Sequence, residues 1–576
     1  MKVPAKETIR VCGLVLTGPS YCWCVIYAVY EFLAVSLRLF YIFRPRLGYA
    51  AFCSLGSGWL PAGRCMQLIR GKQGSARVVC LGLFLACGLG NVVAQQSGEA
   101  NDKLIAAATI HDRDGMYMIP GVTGELQGAD AAAPTAPGAG LQGNFFQRLG
   151  RFYWADWTGK LPSSPAPARR ALDAPLDSPP FPSTDWGYGG SPLIGVPDGN
   201  VYPLMTALRR ENRRIKLYGW IAASGNASTS STTNFPLSYD IFPNRVEMNQ
   251  AVVYLERLPD TVQHTHFDWG FHVTAFYGID YRFTTAKDYL SQQLLQKNRR
   301  YGFDPVLEYA DLYFPVKQGL NIRIGRFLSV PGIEAQLAPN NYNMTHSLLY
   351  TIDPFTDTGA IATLKLTKQW LIQAGISAGH DVAPWSDDAK PSAIVCLNYS
   401  TASNHNNFYA CANGINDGKY AYNNLQDYDI TWYHKFNAKW HMATEAWYMY
   451  EREVPNVAGN VDNPIAPELG ANGAFCAAGQ LTCRAPEYAV VNYVNREFNS
   501  KLFAGFRSDF LDDRKGQRTG IPGKYTENTL YATKYFGTSV LLRPELRFDH
   551  SWDNRGYDGG KARNQLFFGA DLIYKF

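Results

Sequence analysis

The last eleven residues, Leu566-Phe-Phe-Gly-Ala-Asp-Leu-Ile-Tyr-Lys-Phe576, restrict the fold more than any other stretch of this chain. Stepping back by two from Phe576 gives Tyr574, Leu572, Ala570, Phe568 and Leu566. The other parity gives Lys575, Ile573, Asp571, Gly569, Phe567 and Gln565. One face is wholly apolar and the other mixed and polar. A strand with lipid on one side and a wet interior on the other has this two-residue period. The terminal strand of a soluble sandwich is the plainer alternative for this segment taken alone.

Composition fits both readings. Aromatic residues make up 14% of the chain, as interfacial girdles require, and mean hydropathy is −0.21. After the first hundred residues no apolar run is long enough for a membrane-crossing helix.

The N-terminus needs separate treatment. Arg70, Lys72 and Arg77 precede the apolar run Val78–Leu89, and Val92-Val-Ala94 supplies a small residue before Gln95. Residues 66–94, opening on Met66, therefore read as a secretory signal peptide. Cys87 is a poor lipoprotein acceptor because Phe84 and Leu85 precede it. Residues 1–65 are apolar and Cys-rich, with Glu31 and Arg38 breaking the run from Tyr21 to Phe43. They are expected to be an upstream extension lying ahead of the true start, and an extra membrane segment is the alternative. Export is expected to survive their removal.

After residue 94 the chain carries 44 Lys and Arg against 47 Asp and Glu, so the formal charge of +5 becomes about −3. No nucleic-acid partner is implied. Four cysteines remain: Cys396, Cys411, Cys476 and Cys483. An even count in an exported chain reads as disulfides, with local pairing 396–411 and 476–483 inside two separate loops. A zinc site is the rival, but no Cys-x-x-Cys pair supports it. No metal or cofactor is expected.

Residues 95–213 are Pro-, Ala- and Gly-rich, as in Ala131–Gly140 and Asp173–Pro182, which suits no sheet interior. They are expected to form a periplasmic extension or partial plug. Phe145–Trp157 is the aromatic part able to dock.

From Arg214 onward the pattern is regular. Candidate strands run from 214–224 to 565–576, with tight links such as Pro315–Gln318 and Phe536–Gly537 alternating with long ones at 225–246, 278–305, 329–356, 381–423 and 451–484. Short turns at one end and long loops at the other predict an all-β, transmembrane antiparallel up-and-down β-barrel over 214–576. The count closes at about 14 strands, with 16 the next even solution. Leu348–Ile352 would break the alternation and belongs in a loop.

Parity then sorts the side chains. Arg543, Glu545, Arg547 and Asp549 point inward between Leu542, Pro544, Leu546 and Phe548; Pro544 predicts a bulge. Arg507, Asp509, Asp427, Asp429, His441, Glu445, Asp268 and His272 are inward by the same rule. The 329–356 loop is a candidate constriction, in which Glu334 opposite the inward Arg323 would set up a transverse field. Mutual neutralisation of such charges is the plain reading for any one of them.

Gly219-Trp220, Asn249-Gln250, Glu256-Arg-Leu-Pro-Asp260, Asp268-Trp-Gly270, Tyr277-Gly-Ile-Asp-Tyr-Arg282, Tyr301-Gly-Phe-Asp304, Ile324-Gly-Arg-Phe327 and Arg543-Pro-Glu-Leu-Arg547 occur in this order. The array, over about 214–576, resembles the OmpL-like group of β-barrel porins. The resemblance implies an outer-membrane channel with no catalytic motif. Its expected surroundings are outer-membrane lipid and lipopolysaccharide, the barrel assembly machinery reading Leu572, Tyr574 and Phe576, small solutes and a homotrimeric state. Passive diffusion of small hydrophilic solutes through a charged lumen is the leading expectation. A transporter for hydrophobic compounds, gated by the N-terminal extension, would want an apolar lumen. A hydrolase would need more than the adjacency of His346 and Ser347.

Overall fold

The computed structural model describes residues 142–160, 194–195, 201–211, 213–330, 332–403, 405–437, 439–457, 473–499 and 501–576. The expectations for residues 1–94, and for most of 95–213, lie outside these. Sixteen antiparallel strands close into one barrel. They are β1 (Ile215–Ser228), β2 (Val246–Arg257), β3 (Asp268–Gly278), β4 (Gly302–Asp304 continued by Glu308–Phe314) and β5 (Leu320–Leu328). Next come β6 (Thr356–Lys365), β7 (Trp370–His380), β8 (Ser392–Ser400), β9 (Asn406–Ile415), β10 (Gln426–Lys435) and β11 (Trp440–Pro455). The circuit ends with β12 (Thr482–Asn499), β13 (Leu502–Asp513), β14 (Gly523–Phe536), β15 (Val540–Ser551) and β16 (Asn564–Lys575). Each strand pairs with its sequence neighbours, and β16 returns to β1 with Trp220 opposite Lys575. Closure leaves no sheet edge, which is what a hydrocarbon surround demands. Among the described residues no helix is long and apolar enough to cross a membrane.

The count is sixteen rather than about fourteen because the expected 381–423 loop contains a hairpin, β8 and β9. Its segment Ser400-Thr-Ala-Ser-Asn-His-Asn-Asn407 has the composition of a loop. Nevertheless Val395, Leu397 and Phe408 face outward while Asn398 and Asn407 exchange side-chain hydrogen bonds at 3.1 Å inside. The Cys396–Cys411 disulfide therefore ties two directly paired strands on the inner wall, and does not lie in a loop as expected. Cys476–Cys483 joins the long loop after β11 to the start of β12. Adding two strands preserves the alternation of short and long connections.

Two prolines interrupt the ladder in different ways. Around Pro305 both halves of β4 pair with β3, but their registers differ by one residue, so β4 carries a bulge there. At Pro544 the expected bulge is absent. Pairing of β15 with β14 lapses between Glu545 and Leu542 and resumes in unchanged register, while Pro544 stays opposite Ala570 of β16. The missing N–H opens a gap in one ladder and shifts nothing.

Alternation is strict where sequence parity placed it. On β15, Leu546 and Phe548 are 44% and 45% exposed while Arg547 and Asp549 are 0% exposed. A charge on the outward face would cost on the order of 2–4 kcal/mol at mid-bilayer, so the charges gather inside.

Helix α1 (Phe145–Trp157) opens with a reciprocal cap: the Asn144 side chain accepts from the Gln147 N–H at 3.0 Å, and Gln147 accepts from the Asn144 N–H at 3.1 Å. The helix docks on the short-turn end of the barrel. Asp156 accepts from the N–H groups of Thr538 (2.9 Å) and Ser539 (3.1 Å), Trp157 donates to Ser539 at 3.1 Å, and Tyr153 donates to the Lys575 carbonyl at 3.0 Å. Gly537 is required beneath Asp156: its φ is +63°, and a Cβ would lie 2.2 Å from the carboxylate.

Candidate functional site

After β5 the chain does not continue outward. The described residues of 329–355, which include a 3-10 turn (Ala338–Asn340) and the short helix α2 (Leu348–Ile352), are almost wholly buried and hydrogen-bonded to inward side chains of many strands. A buried loop carries backbone polar groups that must find partners, and the inward charges of the wall supply them. Glu445 on β11 accepts from the Ile333 N–H at 2.6 Å, and Asp509 on β13 accepts from the Leu348 N–H at 2.7 Å. Glu545 on β15 accepts from the Thr345 N–H at 3.0 Å and the Asn343 amide at 2.9 Å. Arg543 donates to the carbonyls of Ala338 (2.7 Å) and Asn341 (3.0 Å), Arg507 to that of Thr345 (2.6 Å), and Arg547 to that of His346 (2.5 Å). Polar side chains that parity reasoning passed over complete the seating. Gln250 on β2 accepts from the Ala338 N–H at 3.0 Å, Asn413 on β9 donates to the Val330 carbonyl at 2.5 Å, and Thr533 on β14 to that of Tyr342 at 2.6 Å. Only the Asn-rich run Asn340-Asn-Tyr-Asn343 hinted that this loop needed such partners.

The three arginines on β13 and β15 are also neutralised by carboxylates. Arg543 forks onto Asp571, Arg547 pairs with Asp549 at 2.8 Å, and Arg507 pairs with Glu527 at 3.0 Å. Glu334 stands 3.6 Å from Arg507 and accepts from Ser347. It does not face Arg323, as expected from order in the chain. Arg323 is instead held by Asp311 directly across the β4–β5 ladder at 2.9 Å, with its guanidinium 3.6 Å over the Tyr309 ring.

Two other anticipated residues sit apart from the loop. Asp268, near the short-turn end, is taken up by Arg214, by Arg257 at 2.9 Å and by the Asp260 N–H at 2.7 Å. His272 bonds Glu256 at 3.0 Å and Thr274 at 2.8 Å. Asp427 and Asp429 on β10 are buried, and among the described residues neither has a cation at ion-pair distance. Asp353 of the loop belongs to the same acidic wall. Burial, with the carboxylates of Glu445 and Asp427 nearby, pushes its carboxyl well above the usual range. His346 is pushed the other way: burial, with Arg507, Arg543 and Arg547 close by, holds its imidazole well below the usual range. It bonds the Ala335 carbonyl at 2.9 Å, while the Ser347 hydroxyl goes to Glu334, so the adjacent pair forms no nucleophile–base contact.

A closed sixteen-stranded barrel, apolar outside, polar inside and crossed by an inward-folded loop, defines an outer-membrane channel of the porin class. The family model described as "Putative beta-barrel porin-2, OmpL-like" matches residues 214–576, and the chain belongs to that family. No curated protein matches the chain. Among solved structures, the outer membrane channel DcaP of Acinetobacter baumannii is similar at 11% identity, covering 63% of this chain and 97% of that one, with a TM-score of 0.41. The anion-selective porin from Comamonas acidovorans is similar at 11% identity over 63% and 99%, with a TM-score of 0.41. OmpT of Vibrio cholerae follows at 9% identity over 63% and 97%, with a TM-score of 0.38.

Proposed function

We propose that this porin passes small hydrophilic solutes by passive diffusion past the 329–355 loop, and that it favours cations. One observation carries the charge preference: among the described residues, buried carboxylates far outnumber buried Arg and Lys side chains. The arginines are paired, whereas among the described residues Asp427 and Asp429 have no cation at ion-pair distance and are the carboxyls this reading assigns to the passing ion. Arg323, Asp268 and His272 line other levels of the same lumen. The docking of α1 at the short-turn end supports a periplasmic place for the extension 95–213 to which it belongs; the same reading takes 66–94 as the export signal and 1–65 as dispensable. Insertion by the assembly machinery through Leu572, Tyr574 and Phe576, a surround of lipid and lipopolysaccharide, and a homotrimer complete the reading.

The test is the reversal potential of single channels in planar bilayers under a KCl gradient. A carboxylate at ~6 Å from an ion in water contributes about 0.7 kcal/mol. Each charge acts on cation and anion with opposite sign, so removing both in the D427N/D429N variant should cut the cation-to-anion permeability ratio by up to about a hundredfold at low salt, and less at high salt. Repeated insertions without conductance would sink the channel reading; an unchanged ratio would sink the charge preference.

A further inference from the structure

The outward wall of β10–β13 carries a feature the permeation path does not use. Tyr428, Tyr448 and Tyr488 lie directly opposite one another across the β10–β11 and β11–β12 ladders. Their rings are stacked, with centroids 6.4 and 4.8 Å apart. Tyr428 and Tyr488 are exposed on the face that Ile430, Val490 and Phe506 continue toward mid-wall. A row of tyrosines on a lipid-facing wall marks the membrane–water interface. These strands run from here into the long loops, so the level is that of the outer leaflet.

Just beyond the row, three arginines are held against the rings of Tyr488 and the adjoining Tyr450. Arg484 lies 3.6 Å over Tyr450 and donates to the Tyr448 hydroxyl at 2.7 Å. Arg452 lies 5.2 Å over the same Tyr450, donates to its hydroxyl at 3.1 Å, and is steadied by the carbonyls of Asn416 (2.9 Å) and Gly418 (3.4 Å). Arg514 lies 4.7 Å over Tyr488. Cation–π contact orients a guanidinium but does not neutralise it. Only Arg514 has a carboxylate, Asp512 at 3.1 Å. Among the described residues Arg452 and Arg484 have none at ion-pair distance, and the neighbouring Glu453 is held by Lys419. Two guanidiniums that lack a carboxylate partner at a lipid interface are suited to take anions from outside the chain. The planar fork of arginine matches the oxygens of a phosphate.

We propose that Arg452, Arg484 and Arg514 form a binding site for the phosphate groups of a phosphorylated outer-leaflet glycolipid, whose acyl chains lie along the apolar wall below the tyrosine row. The site rests on the orientation that puts the long loops outside the cell, and it is independent of the permeation path.

Native mass spectrometry of the purified full chain tests it, with bisphosphorylated lipid A and the same lipid stripped of phosphate as probes. Wild type should hold the bisphosphorylated form at least about tenfold more tightly. The R452Q/R484Q/R514Q variant should lose that preference while retaining heat-modifiable migration and cation selectivity. If the triple variant does not fold, the single R484Q should show a severalfold weakening, and R484K a smaller one. Equal retention of the two lipid forms by wild type would overturn the site, as would an unchanged preference in the variants. Displacement of the lipid by millimolar inorganic phosphate would indicate a free-anion site and overturn the lipid assignment. Absence of conductance beside phosphate-dependent lipid binding would fall on the channel reading alone.

Discussion

Replacing Glu545 by Gln keeps the shape of the side chain and removes its charge, which makes it a sharp probe of how the 329–355 loop is held. One carboxylate oxygen accepts from the Thr345 N–H at 3.0 Å and the Asn343 amide at 2.9 Å; the other accepts from the Thr345 hydroxyl. An amide has only two orientations here. With its nitrogen in the first position it faces two donors. In the second it faces a hydroxyl already accepting from Arg507 at 3.1 Å and Arg547 at 3.4 Å. At least one charged hydrogen bond is lost either way, a cost of about 1.5–3 kcal/mol. The released fraction of the loop should rise roughly 10- to 150-fold by that energy. Hydrogen exchange of amides 343–348 should speed up accordingly, with added flicker in single-channel current, while the barrel strands keep their protection. Wild-type exchange in this segment, in a variant whose barrel is intact, would refute the view that the wall charges anchor the loop.

Three further outcomes are expected. The G537A substitution must force the Asp156 carboxylate aside and strain a left-handed turn, at about 1–2 kcal/mol for the turn alone; exchange in α1 should accelerate while β14 and β15 stay protected, and unchanged α1 protection would count against the latch. Asp240, in the loop after β1, has its carboxyl raised to about 6 by burial, an effect only partly offset by hydrogen bonds from Ser224 and Asn226. Because the folded value lies above the ordinary one near 3.8, the folded chain holds the proton more tightly, and stability falls as pH rises from about 4 to 6, by about 3 kcal/mol in all. Exchange of amides 234–241, corrected for intrinsic rate, should therefore be faster at pH 7.5 than at pH 4.5 in wild type and flat in D240N; the same pH response in both would dismiss this carboxyl as the cause. Deleting Phe576 removes two hydrogen bonds to Gly219 across the closing seam, at 2.9 and 3.1 Å, so the yield of heat-modifiable barrel should drop while the conductance of assembled channels stays near wild type.

How far such a barrel can be read from its chain depends on what enforces each feature. The lipid face tolerates almost no charge, so the parity of Arg543–Asp549 and of the terminal strand could be read directly, and with it which charges turn inward. Tight turns made most hairpins countable. The same logic hid β8 and β9, where inward positions hold Asn and Cys and the turn between them is as polar as any loop. Partnerships divide in the same way. Arg323 with Asp311, and Arg543 with Asp571, are direct cross-strand partners, so hairpin register alone would have paired them. Glu334 meets Arg507, eight strands further along the circuit, only because of the path the loop takes inside. That path is chosen collectively by every buried N–H and carbonyl seeking a partner. No periodicity encodes it, so an inward charge can be found from sequence long before its partner can. Order along the chain suggested Arg323 for Glu334, but register had already committed Arg323 to Asp311, which left Glu334 free to take part in holding the loop.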